Sequence, residues 1–161
     1  RCYEVAAVTG KAEEEEAYLK AIGAQQILPR DNIDFGKRPL EKAQWGGAID
    51  NLGGDYLTWL TRTTDYGGNI ASIGLAASHE LNTTVMPFIL RAVCLLGINS
   101  VDTPRDLRRA VWARIGGDLM PQHLDTIGSR TISFDELPDA FQAYMDGTVT
   151  GRVVVEVAPE R

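Results

Sequence analysis

Short apolar runs alternate with helical patterns along this sequence, and most of the runs leave through glycine or a small polar residue. That alternation constrains the fold more than any other feature. It predicts parallel strands joined by right-handed helical crossovers, an α/β architecture. The first run is the most informative. Residues 3–11 read YEVAAVTGK: the apolar stretch Val5-Ala6-Ala7-Val8 ends in Thr9-Gly10-Lys11, and a helical pattern follows at once. A buried strand entering a turn and then a helix is the unit that carries nucleotides in open parallel sheets. NAD-binding units place an Asp or Glu at the end of the second strand, where it takes the ribose 2′-hydroxyl. Here that place holds a hydroxyl, a glycine and a cation. Thr9 and Lys11 suit a 2′-phosphate, which a carboxylate would repel. The turn therefore reads as an NADP half-site; the competing reading is a turn that merely caps an ordinary helix.

The chain has 161 residues, enough for one domain with a core. Apolar residues make up 44% and charged residues 24%, the balance of a globular protein rather than a disordered one. The net charge of −6 argues against a binder of nucleic-acid backbones. Cys2 and Cys94 form no CxxC, and with His79 and His123 they make too small a donor set for structural zinc, so no metal is expected. Each cysteine is expected as a small buried hydrophobe in a reducing, cytoplasmic setting. No apolar run approaches the roughly 18 residues of a membrane span, and no signal peptide is visible. The chain opens on Arg1 and reaches a strand almost immediately, which suggests a piece of something longer.

Taken in order, residues 12–22 predict a helix stopped by Gly23, with Glu13 to Glu16 on a solvated face. Residues 24–28 predict a second strand. Arg30 at its end is placed to face the same phosphate as Lys11, or to pair with Asp31 or Asp34. Residues 31–46 read as a loop with a helical turn near Pro39. Residues 47–54 predict a short buried strand leaving through Gly53-Gly54, after which Asp55 caps a helix that buries Tyr56, Leu57 and Leu60. Gly67-Gly68 should end that helix, and residues 69–73 form the next strand, leaving through Gly74. Small residues at the exits let a backbone approach a cofactor. The exits at Thr9, Asn51 and Gly74 are expected along one sheet edge.

Pro87 opens an apolar helix, and residues 93–98 predict another buried strand. Thr103-Pro104 starts a helix with Leu107, Val111 and Ile115 as its buried stripe and Arg105, Arg108, Arg109 and Arg114 facing out. Residues 130–134 and 152–157 read as strands around a helix over 135–145 with Phe141 and Tyr144 inward. Neither GxGxxG nor GxxxxGK[ST] occurs, and there is no nucleophile elbow or HExxH. In hydride transfer the nicotinamide carries the chemistry, so a missing catalytic motif does not exclude an enzyme.

In order, VTGK, YLKAIGA, ILPRD, WGGAIDNLGG, YGGNIASIGLA, TTVMPFILR, LLGINSV and GRVVVEV resemble the zinc-free, quinone oxidoreductase-like branch of the medium-chain dehydrogenase/reductases. The subgroup they most resemble is the NADPH-dependent acrylyl-coenzyme A reductases, and the resemblance covers nearly the whole chain. It implies a Rossmann-type doubly wound, mostly parallel sheet that lacks its first strand and helix. It also implies a division at residue 128: an NADP-binding Rossmann part over 1–128, and over 129–161 a C-terminal piece of the GroES-like catalytic domain. The glycine-rich loop and most of the catalytic domain have no counterpart here.

The resemblance implies roles at matching positions. Thr9, Gly10 and Lys11 correspond to the 2′-phosphate turn, and Arg30 to its helper at the next strand end. Asn51 and Leu52 correspond to the segment near ribose and adenine, and Gly74 and Leu75 to the backbone beside the nicotinamide ribose. Phe88 and Leu90 match apolar contacts, Asn99 and Ser100 the strand end on the nicotinamide side, and Arg152 a cation reaching the cofactor. Phe88 and Leu90 also suit a core, and Arg152 a strand edge. The implied activity is reduction of the activated double bond of a small enoyl thioester such as acrylyl-coenzyme A by NADPH. Hydride would pass to the β-carbon and a proton to the α-carbon, with no residue assigned as proton donor. A quinone or enone is the alternative substrate, and a non-catalytic nucleotide-binding module the alternative class. A homodimer is implied, and neither nucleic acid nor membrane is an expected partner.

Overall fold

The structure, a computed structural model, describes residues 3–157; Cys2 lies outside them. It divides into two compact units. One takes the described residues up to Ile33 together with those from Val111 onward, and the other is Asp34–Ala110.

The chain opens with β1 (Ala6–Thr9), α1 (Glu16–Ala21) and β2 (Gln26–Pro29), followed by a 3-10 turn at Arg30–Asn32. β1 and β2 are parallel, with Thr9 opposite Pro29, so both strands leave at the same end. The predicted burial of β1 is only partial: Val5 and Val8 remain exposed. A strand is buried by cover on both faces, and β1 has a single strand neighbour.

The second unit is built on β3 (Trp45–Asp50), α2 (Gly54–Thr63), β4 (Thr64–Ser72), α3 (Met86–Arg91) and β5 (Cys94–Gly97). The three strands lie in the order β3-β4-β5, all parallel. Their core is Leu57, Ile70 and Val93, against which Ala48, Leu60, Phe88 and Leu95 pack. Leu57, Ile70 and Val93 each contribute about 1.5–3 kcal/mol by leaving water. Trp45 meets Trp59 edge-on, with ring centroids 5.8 Å apart. α2 also buries Thr61 and Thr63, whose hydroxyls donate to the carbonyls of Thr58 and Trp59 at 2.7 and 2.8 Å, so burial leaves neither unpaired. Arg91 donates from Nη1 to the carbonyls of Arg62 and Thr64, tying α3 to the end of α2.

Several local expectations are corrected here. Gly53, at φ +69°, caps α2, and Asp55 lies inside its first turn. The helix stops at Thr63, because Thr64 is already extended. Gly67-Gly68 instead lies within β4, where the register with β3 shifts between Trp45–Thr64 and Gly47–Asn69. Gly67 takes φ +69° there, a conformation that glycine adopts without a Cβ penalty. The segment near Pro39 is a bend rather than a helical turn. Arg38 and Glu41 close it, with Nη2 2.6 Å from Oε2. Cys94 is an exposed free thiol at the start of the edge strand β5.

The rest is α4 (Arg105–Ile115), α5 (Leu124–Ile127), β6 (Arg130–Ser133), a 3-10 turn at Phe134–Glu136, α6 (Leu137–Met145) and β7 (Val153–Glu156). β6 and β7 are parallel. The unit boundary falls within α4. Leu107 and Val111 are exposed and Ile115 half-buried, so the stripe read from the sequence is not a buried one. Phe141 and Tyr144 are likewise exposed, at 58% and 50%; Ala140 is the buried residue of α6. The amphipathic pattern located the apolar side of each helix correctly. It could not say whether that side would be covered.

Candidate functional site

In the first unit the predicted phosphate turn is assembled as a local cluster. Thr9 ends β1, and its Oγ1 accepts the Lys11 N–H at 3.1 Å, closing the turn. The parallel pairing brings the end of β2 alongside, so Arg30 follows directly beside the turn. A Cβ on Gly10 would stand 3.3 Å from Arg30 Nη2 and 3.4 Å from Cζ. The guanidinium therefore lies against the glycine, and the missing side chain is what lets it approach. Thr9, Gly10 and Arg30 thus bring a hydroxyl and a guanidinium to one sheet end, groups that suit a phosphate monoester, while the Lys11 ammonium, two residues on, donates to the Gly147 carbonyl. Arg30 Nε also lies 3.7 Å from Asp31 Oδ1, one of the two ion pairs expected as the alternative to a phosphate role. The acidic run of α1 is partly engaged: Glu16 pairs with Lys20, and Glu15 accepts from Thr150.

In the second unit Asp50, Ser72 and Gly97 are aligned across β3, β4 and β5. Asn51 and Leu52, then Gly74 and Leu75, then Asn99 and Ser100 consequently leave along one edge. The first two exits touch. The N–H groups of Ala76 and Ala77 donate to the carbonyls of Asn51 and Leu52 at 3.2 and 2.8 Å. A Cβ on Gly74 would come 2.5 Å from the Asn51 carbonyl oxygen, so only glycine permits that approach. Leu75 projects outward, at 67% exposure. Asn99 is occupied locally: its Oδ1 accepts the N–H groups of Val101 and Asp102, each at 3.1 Å. The Ser100 carbonyl accepts from Arg108 at 3.1 Å.

Among the other predicted contacts, Phe88 is packed against the core, whereas Leu90 is exposed. Arg152 is exposed, and its Nη1 donates to the neighbouring Gly151 carbonyl. The expected common edge holds for Asn51 and Gly74 within their sheet; Thr9 belongs to the other unit.

Asp50 was missed. It is 3% exposed, and its carboxylate accepts the N–H groups of Leu52 and Gly53 at 3.2 and 3.1 Å. It holds the exit loop in shape rather than offering charge outward. The legible signal was an Asp at a strand end just before Asn-Leu-Gly-Gly, the pattern of a side chain capping its own turn. No group of three or more His, Cys, Asp or Glu among the described residues is placed to hold a metal.

No protein-family profile matches the chain. Individual proteins do. The chain is 43% identical over 158 residues to YhfP of Bacillus subtilis, which carries a quinone oxidoreductase name; the match covers 98% of this chain and 48% of that protein. Its crystal structure with NAD bound superposes with a TM-score of 0.90. Acrylyl-CoA reductase AcuI of Ruegeria pomeroyi is 44% identical over 156 residues, covering 96% of this chain and 47% of that protein. Over nearly its whole length the chain is similar to proteins of the quinone oxidoreductase-like branch of the medium-chain dehydrogenase/reductases. Another structure of this branch, the yhdH oxidoreductase of Salmonella enterica in complex with NADP, matches at a TM-score of 0.87 and 42% identity, over 97% of this chain and 47% of that one. The chain spans about half the length of the medium-chain reductases it matches. The recognised branch and the α/β, mostly parallel class both stand.

Proposed function

We propose that the chain is the cofactor-binding part of an NADPH-dependent oxidoreductase that reduces the activated double bond of a small enoyl thioester such as acrylyl-coenzyme A. The observation that carries this reading is the apposition of Arg30 to Gly10 beside Thr9 and Lys11. Two cations and a hydroxyl at that strand end suit the one group, a 2′-phosphate, that separates NADPH from NADH. The names of the Ruegeria reductase and the NADP-bound Salmonella structure support it. In this reading Asn51, Leu52, Gly74, Leu75, Asn99 and Ser100 line the path of the rest of the cofactor, Leu90 and Arg152 reach it from the side, and Phe88 supports it from the core. Residues 1–128 make the NADP-binding part, and residues 129–161 return to a catalytic domain. The nicotinamide supplies the hydride when bound; the residues of this chain hold and orient it. A cytoplasmic location and a homodimer are part of this proposal. No helix among the described residues is long and apolar enough to cross a membrane.

A second reading keeps the fold and changes the substrate: the quinone oxidoreductase name of YhfP favours a quinone or enone. A steady-state assay decides, using the longest polypeptide in which this chain occurs. Loss of nicotinamide absorbance should be faster with NADPH than with NADH, and should require acrylyl-coenzyme A. Turnover with a quinone but not with the thioester would favour the second reading. Tight NADPH binding without turnover on either substrate would leave a nucleotide-binding module.

A further inference from the structure

Lys11 is tied into a closed ring of contacts within its own unit. Its Nζ donates to the Gly147 carbonyl, on the loop that joins α6 to β7. Three residues on, Thr150 Oγ1 donates to the Glu15 carboxylate. The Glu15 N–H returns to the Lys11 carbonyl at 2.9 Å. The far end of the loop is anchored as well: the Arg152 N–H meets the Ile127 carbonyl at 2.6 Å. A Cβ on Gly151 would come 2.5 Å from that carbonyl oxygen and 3.1 Å from the Tyr18 hydroxyl. Gly147 and Gly151 take φ +66° and +72°, so the loop is shaped for this seat.

We propose that this loop, through Gly147 and Thr150, is a specificity-determining element of the phosphate turn and positions Lys11 without touching the cofactor. The inference rests on the NADPH reading above. An ammonium has three donors, and a neutral carbonyl takes one of them, which leaves two for a phosphate. Glu15 closes the turn that Lys11 opens, its N–H on the Lys11 carbonyl, so the opposite charges sit at the two ends of one turn. The Thr150 hydroxyl holds that carboxylate on the loop. Released, Glu15 competes with a phosphate for Lys11.

The test compares NADPH and NADH affinity for the full chain, Thr150→Val, Thr150→Ser and Lys11→Ala, with folding checked by circular dichroism. Thr150→Val should lower the NADPH-to-NADH preference about three- to tenfold, the scale of one hydrogen bond. NADH affinity should stay unchanged, and Thr150→Ser should restore the preference. A Thr150→Val chain that keeps its preference, or loses both cofactors equally, overturns the loop's role. Should the unmodified chain show no preference, or Lys11→Ala leave it intact, the NADPH reading itself fails, and this inference with it.

Discussion

Glu41 illustrates how much one side chain can organise. Its carboxylate accepts the N–H groups of Lys37 and Arg38 at 3.0 and 2.8 Å and both Nε and Nη2 of Arg38. Those bonds, the Arg38 side chain foremost, hold its pKa down at about 2. A depressed carboxylate stabilises the fold above its unfolded pKa, roughly 4.3, and that contribution fades as pH falls toward the folded value. Glu41→Gln should therefore cost stability at about pH 5 and cost less as the pH approaches 2. Urea midpoints across that range check it, and a gap independent of pH contradicts it. Glu136 behaves in the same sense, held low chiefly by the Ser133 N–H and then by its hydroxyl. At this scale the sequence was legible where chemistry is local. Thr9, Gly10 and Lys11 could be read as a turn because strand, glycine and cation are contiguous. Asp50 carried a local signal too, an Asp directly before Asn-Leu-Gly-Gly, whereas Glu41 did not, because its role depends on a carboxylate folding back onto its own loop.

Elements were legible in kind and order more than in extent. The parallel strands and the helices between them follow the alternation of apolar runs and helical patterns. Their limits moved wherever glycine did something other than stop a helix. Gly53 starts α2 rather than merely preceding it, and Gly67-Gly68 lies within β4. Gly53 is the sharper case. It is buried at φ +69°, and a Cβ there would fall well inside van der Waals distance of the Ser78 carbonyl oxygen. Gly53→Ala should cost at least about 2 kcal/mol, the left-handed strain plus displacement of the 74–78 backbone. Thermal unfolding measures it, and a variant within about 0.5 kcal/mol of the parent would show that the exit loops are not packed as described. Helix faces were read less well. Periodicity identified Leu107, Val111, Phe141 and Tyr144 as the apolar side of their helices, and the structure leaves them exposed. A repeat of 3.6 residues reports which side is apolar, and burial depends on what packs against it.

Each of the two units holds its own group of candidate residues: Thr9, Gly10, Lys11 and Arg30 in the first, and the exits after β3, β4 and β5 in the second. Against a net charge of −6, two cations follow the adjacent ends of β1 and β2: Lys11 just after Thr9, and Arg30 just after Pro29. The family was legible because its motifs are short, ordered and contiguous. The turn proposed to meet a 2′-phosphate could be read from sequence, but the α6–β7 loop whose Gly147 carbonyl takes the Lys11 ammonium could not, since it lies 136 residues away. The bound NAD of the Bacillus structure and the bound NADP of the Salmonella structure make discrimination the central question for this chain. The most direct measurement is calorimetric titration with adenosine 2′,5′-bisphosphate and with 5′-AMP, which differ only in the 2′-phosphate. The account predicts that the bisphosphate binds about tenfold tighter or more, the scale of a charge-assisted hydrogen bond. That advantage should vanish in the Lys11→Ala, Arg30→Ala double variant. Equal affinity for the two nucleotides, or an advantage that survives the double substitution, would contradict it.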